Sequence, residues 1–394
     1  MKTTSTLLSI FAASFGMTTP TLLNANEAAP PAISPAAPAV APEEAGPRIQ
    51  LALLLDTSGS MDGLIDQARQ QMWQIVNTFI AAKQDGKTPF VEVALYEYGN
   101  DGLDAKGHWI RRVQPLTRDL DEISKQLFAL HTNGGSEYCG AVIQRAVEDL
   151  KWDPSPDTYK AIFIAGNEPF TQGPVKANES CRAAATKGVI VNTIHCGSEA
   201  TGVNEGWKDG AVAADGKYMV IDSNKPVVAI AAPQDTEIVK LNEQLNKTYL
   251  GYGSGAGEAV QKQVAQDVNA AKMAPAAASQ RATTKASANY HNANWDLVDA
   301  SKDKKFDVAK VKEAELPEEM RKMNTEERKA HVAKKAEERD GLQKQILELS
   351  KQRDAFVAEK RKELAKDGEA DTLDSAMIKA VRDQAAKKKV QFEK

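Results

Sequence analysis

Apolar residues follow two different patterns along this chain. Between positions 49 and 250, short apolar runs alternate with stretches in which apolar residues recur every three or four positions. The run IQLALLLD at 49–56 predicts a strand buried on both faces, as in a parallel sheet. Leu64, Ala68, Met72, Ile75, Phe79 and Ile80 then keep helical spacing over 64–82. VEVALYEY at 91–98 predicts the next strand, and HWIRRVQPL an edge strand beside it that ends at Pro115. Helices are expected over 120–130 and 140–150. Buried strands AIFIAG (161–166) and VIVNTI (189–194) flank a helix near 175–187. YMVID at 218–222 is a last short strand, and 235–250 a last helix. Strands alternating with helices of this length predict an α/β fold with a doubly wound, mostly parallel sheet, whose ligands bind at the carboxyl ends of the strands.

After position 250 the pattern changes. GYGSGAG at 251–257 follows a predicted helix rather than a strand, so it reads as a domain boundary and not as a phosphate cradle. Ala, Gln, Ser and Lys dominate 258–285, a stretch expected to be mobile or loosely helical. A small apolar island around Trp295 predicts docking on the body of the same molecule. From Pro317 onward Glu, Lys, Arg and Ala take over, with a helical stripe at Leu342, Ile346, Leu349, Phe356 and Val357. After a break near Gly368 a second stripe follows at Met377, Ile378 and Val381. Arg353 and Lys360 interrupt a strict heptad, so a coiled coil is only weakly encoded. The expected organisation is therefore a sheet domain over 49–250, a linker with a small docking segment over 251–316, and a charged α-helical extension over 317–394. Self-association through those helices is an open role for the extension.

Charge sharpens this division. Of the 394 residues, 50 are basic and 54 acidic, a net charge of −4. After position 300 there are 25 basic and 21 acidic residues, against 25 and 33 before it. The extension alone is too charged to fill a core. No strongly basic domain exists, which argues against a nucleic-acid partner.

The N-terminal end suggests export. Lys2 precedes an apolar stretch from Leu7, uncharged until Glu27, which fits a signal peptide over 1–25 cut near Ala25. The alternative is an uncleaved segment anchoring the chain to the inner membrane, since 7–23 is close to the shortest spanning length. The Ala/Pro-rich stretch at 26–48 is a stiff spacer. The localisation that follows is periplasmic or secreted. Cys139, Cys181 and Cys196 could supply one disulfide and a spare thiol in that setting, or could simply be small buried apolar residues.

The chemistry-bearing motif follows the first strand. Asp56-Thr57-Ser58-Gly59-Ser60-Met61 places a carboxylate and two hydroxyls on one face of a tight turn, a hard-oxygen set suited to Mg²⁺ or Ca²⁺. A purely structural role, capping the helix from Asp62, would not use both hydroxyls. In that strand context the motif resembles the von Willebrand factor type A (VWA) family, whose metal-ion-dependent adhesion site carries Asp-x-Ser-x-Ser. The resemblance spans about half the chain and is to an exported bacterial member. It implies a further hydroxyl from a Gly-Gly-Thr turn, matched by Ser136 in Asn133-Gly134-Gly135-Ser136-Glu137, with Thr132 a weaker substitute. It also implies an acid after the fourth major strand. Here Gly166 stands at that position, so Asn167 or Glu168 would have to serve and the site would be weakened.

If the site works as in adhesive family members, the ion accepts an acidic side chain from a protein partner, with Glu137, Tyr138, Phe170 and Asn100 shaping the rim. No GxxxxGK, GxSxG or His cluster is present, so no enzymatic activity is expected. The alternative function is a metal-free structural scaffold or assembly protein of the cell envelope.

Overall fold

The computed structural model describes residues 46–222, 229–364 and 373–392. The expected signal segment and most of the Ala/Pro-rich spacer lie outside them, as does the predicted break near Gly368. β1 (Arg48–Asp56) runs at the centre of a six-stranded sheet, and its burial on both faces matches its apolar sequence. β3 (Phe90–Tyr98) flanks it on one side and β5 (Tyr159–Gly166) on the other, both parallel to it. β6 (Ile190–Cys196) and β7 (Tyr218–Ile221) extend the parallel array beyond β5. β4 (Ile110–Thr117) closes the opposite edge antiparallel to β3, with register shifts around Leu95. It continues past Pro115, which an irregular edge strand tolerates because the missing N–H need not pair inward.

Helices cover both faces. One core layer joins α1 (Asp62–Asn77) and α2 (Leu120–Ala129) to the sheet through Leu64, Met72, Trp73, Ile123 and Leu127. The other joins α3 (Cys139–Asp149) and α4 (Ala177–Thr186) through Val142, Ile143, Ala146 and Cys181. Two short helices that the periodicity does not announce, α5 (Glu199–Asn204) and α6 (Trp207–Val212), lie between β6 and β7. The three cysteines are buried as free thiols.

The region after position 250 departs from expectation. In place of a mobile stretch over 258–285 stand two helices, α8 (Ala256–Met273) and α9 (Pro275–Lys285), the second started by its proline. They follow α7 (Asp235–Asn246) and pack on α1 and α2. Polar residues make the joint. Lys262 reaches Asp119 at 2.6 Å and Glu122 at 3.2 Å, and Ser124 Oγ donates to Gln266 Oε1 at 2.8 Å. Arg281, 1 % exposed, pairs with Asp121 and Asp267 at 2.6 Å each and lies over the Trp73 ring at 4.5 Å. Trp295 stacks on Tyr249 with centroids 5.7 Å apart, so it docks within the chain.

The charged extension is equally integrated. After the short α10 (Leu297–Ala300), α11 (Thr325–Leu364) begins later than Pro317, which opens only a 3-10 turn. Along α11, Arg339 bonds Asp296 at 2.6 Å, Ile346 packs with Ile238 and Leu241, and Arg353 bonds Asp235 at 2.7 Å. Of the two basic residues that break the heptad, Arg353 thus anchors the helix to its own chain, while Lys360 pairs with Glu363 along the exposed helix surface. α12 (Leu373–Ala386) returns to the sheet, where Met377, Ala380, Val381 and Ala385 join the first core layer. β8 (Gln391–Phe392) then pairs antiparallel with β2 (Ala82–Lys83). A separate helical module from 317 onward is thus corrected: the last helix completes the sheet domain, and 251–316 is not a linker.

Candidate metal and partner site

The carboxyl ends of β1, β3 and β5 meet the turn before α3 at one end of the sheet. Tight backbone contacts hold these loops together. Asn133 N donates to Thr57 O at 3.0 Å, and Asp101 N to Gly134 O at 2.5 Å. Gly135 is required here, because a Cβ would lie 2.2 Å from Gly99 O. Asn100 Nδ2 donates to His131 O at 2.8 Å, so Asn100 ties loops together rather than shaping an open rim.

Asp56 is fully buried at the centre. Its Oδ1 accepts from Ser58 N at 2.7 Å, while Oδ2 has no hydrogen-bond partner. Ser58 Oγ, 4 % exposed, is likewise unpartnered in hydrogen-bond geometry. Burial pushes the Asp56 carboxyl up to about 7; the Ser58 backbone bond, the nearby Ser58 hydroxyl and the Asn167 backbone oppose this, and nearby Glu168 adds to it. Glu137 is also pushed up to about 7, by burial and then by the charge of Asp56. Two buried, mutually repelling carboxyls beside unpartnered oxygens are the electrostatic complement of a cation.

The predicted residues fall at this end in unequal roles. Asp56, Ser58 and Ser60 share the first loop, and Asn167 Nδ2 donates to Ser60 Oγ at 3.3 Å. Asn167 Oδ1 is buried without a partner. Ser136 is half-buried on the tight turn. Glu168 is close enough to act on both Asp56 and Glu137. Thr132 turns away to hydrogen-bond Asp62, which removes it as a substitute ligand.

Two further rim expectations are corrected. Phe170 is fully buried, with its ring 5.0 Å from that of Trp207, because α6 folds over it. Glu137, 6 % exposed, turns inward beside Asp56 instead of outward. Tyr138 stays half-buried, edge-on to Trp109 at 5.5 Å.

Gly166 also has a structural reason. A Cβ there would sit 2.5 Å from Tyr98 Oη and 3.0 Å from Asp56 Oδ2, and Tyr98 is fixed by donating to Ala165 O at 3.0 Å. The tyrosine hydroxyl occupies the space of the acid that the family resemblance implies. Among the described residues, no group of three or more His, Cys, Asp or Glu is arranged to hold a metal. An ion here would therefore rest on at most two carboxylates plus hydroxyl and amide oxygens. That donor set contains no thiol or imidazole and consists of hard oxygen donors alone.

No protein-family profile matches the chain, and no curated protein matches it. Solved structures do. The SpRpn10 VWA domain is 17 % identical over 44 % of this chain and 88 % of its own, with a TM-score of 0.34. The conserved hypothetical protein BatB from Bacteroides thetaiotaomicron is 18 % identical over 44 % and 90 %, with a TM-score of 0.33. Proximal thread matrix protein 1 from the mussel byssus, with a zinc-occupied MIDAS motif, is 12 % identical over 45 % and 43 %, with a TM-score of 0.33. These are likenesses of fold over less than half of the chain. The six-stranded, mostly parallel sheet with one antiparallel edge strand is a VWA-like α/β fold, and the Asp-x-Ser-x-Ser turn lies at the end of β1.

Proposed function

We propose that this chain is an exported binding protein that engages a protein partner through a divalent cation held at the end of its VWA-type sheet. One observation carries the reading: Asp56 Oδ2 and Ser58 Oγ are buried without partners where three strand ends converge. Unsatisfied buried oxygens cost about 1–3 kcal/mol each, and a cation that they coordinate removes that cost. Asp56, Ser58 and Ser60 would hold the ion, with Ser136 and Asn167 at its margin. When bound, Mg²⁺ or Ca²⁺ would offer an open coordination position to an oxygen ligand, and an acidic side chain of the partner suits it best. Tyr138 and Glu168, both half-buried, are the rim residues left to meet that partner.

Export rests on the N-terminal sequence. Among the described residues no helix is long and apolar enough to cross a membrane. A metal-free envelope scaffold is the second reading, favoured by Gly166 in place of an acid.

Thermal unfolding of the full chain separates the two. A midpoint that rises with Mg²⁺ or Ca²⁺, and a response abolished by Asp56→Ala, supports the cation site. An unresponsive wild type rejects it and leaves the scaffold. Partner capture by wild type but not by Ser58→Ala would then link the ion to binding.

A further inference from the structure

We infer that Glu137 is a direct ligand of the cation, supplying from the turn before α3 the second carboxylate that Gly166 cannot supply from the end of β5. The inference rests on the cation-site reading above and adds a ligand that the family resemblance does not assign.

Geometry carries it. Gly99, at the end of β3, marks where the two acids converge: a Cβ built there would lie 2.8 Å from Glu137 Cγ and 3.0 Å from Asp56 Oδ1. Gly99 has φ +80°, so both its backbone conformation and the space around it call for glycine. The absence of a side chain at Gly99 admits the Glu137 chain into the site. Glu137 N donates to Gln172 Oε1 at 3.0 Å, which fixes the turn from the far side. No Lys or Arg is among the groups acting most strongly on either acid. The buried, unpartnered Asp56 Oδ2 and Ser58 Oγ belong to the same site and are the independent sign that something else is held there.

The consequence concerns charge. Two protein carboxylates match the +2 of the ion, so the cation binds the isolated chain without needing the partner's acid to complete its charge balance.

Isothermal titration of the metal-free full chain with Mg²⁺ and with Ca²⁺ tests this, using wild type, Glu137→Gln, Glu137→Asp and Asp56→Asn. Circular dichroism and melting in chelator check the fold of each. The expected result is at least tenfold weaker binding for Glu137→Gln, with partial recovery in Glu137→Asp. Wild-type affinity in Glu137→Gln, with binding lost in Asp56→Asn, overturns the role of Glu137 while leaving the cation site standing. No binding by wild type overturns both.

Discussion

Gln384, near the end of the chain, and Asn192, in the middle of β6, bond to each other in both directions. Asn192 Nδ2 donates to Gln384 Oε1 at 3.1 Å, and Gln384 Nε2 donates to Asn192 Oδ1 at 2.6 Å. The same Gln384 Oε1 accepts the Tyr159 hydroxyl at 2.8 Å. A side chain of the charged extension thus satisfies buried polar groups on two central strands, so the sheet domain is complete only when the last helix is in place.

Truncation after Leu364 is accordingly expected to abolish cooperative folding of the sheet domain. It uncovers Leu53, Leu55, Phe163 and Ile194 beneath Met377, and each buried apolar side chain contributes about 1.5–3 kcal/mol. Gln384→Ala should cost roughly 2–3 kcal/mol by stranding Asn192 and Tyr159. Urea unfolding reads both, and a truncated chain with the wild-type midpoint would show that α12 is dispensable.

Acid should loosen the packing of α8 and α9. Burial opposes ionisation of Asp267, but Arg281 and Lys285 outweigh it and hold the carboxyl well below the usual range. Below about pH 4 the unfolded chain therefore binds more protons than the native one, and stability falls as the pH drops through the depressed native value. Asp267→Asn leaves Arg281 and Lys285 under-compensated and should cost about 3–5 kcal/mol at pH 7. It should also flatten the acid limb of the stability curve, and an unchanged acid limb would assign that limb to other groups.

Restoring the acid at position 166 should fail. Gly166→Asp drives a Cβ against Tyr98 Oη and Asp56 Oδ2 and adds a third carboxyl to the site, an overpacking expected to cost about 1–3 kcal/mol before charge repulsion. Tyr98→Phe removes the obstructing oxygen, so the double variant should tolerate the aspartate better than the single one. Equal melting points for Gly166→Asp and wild type would contradict the steric account.

Ser58→Ala separates binding from stability at one atom. Its hydroxyl is buried and unpartnered, so in chelator the variant should be as stable as wild type or up to about 1 kcal/mol more stable. The same variant should need more cation for half-saturation. A loss of metal-free stability would mean that Ser58 is a structural bond rather than a ligand.

The two kinds of segment differ in what their residues disclosed. β1, α1, β3 and β5 are legible because burial on a parallel sheet imposes continuous apolar runs and one-sided helices, and those patterns are local. Asp56, Ser58 and Ser60 are legible because a tight turn brings neighbours in sequence onto one face. α8 hides its place because it buries Gln263 and Gln266 while Val264 and Val268 stay exposed, so the rule that apolar residues face inward misreads it. Glu137 turns inward only because Gly99, from a distant strand end, leaves room, and Phe170 is buried only because α6 covers it. The uneven charge before and after position 300 follows from the sequence, but not the pairing of Arg281, Arg339 and Arg353 with buried acids. Local patterns specified the strands and the first metal loop. Which distant groups meet, and that the last helix closes the first sheet, depend on contacts that exist only once the whole chain has folded.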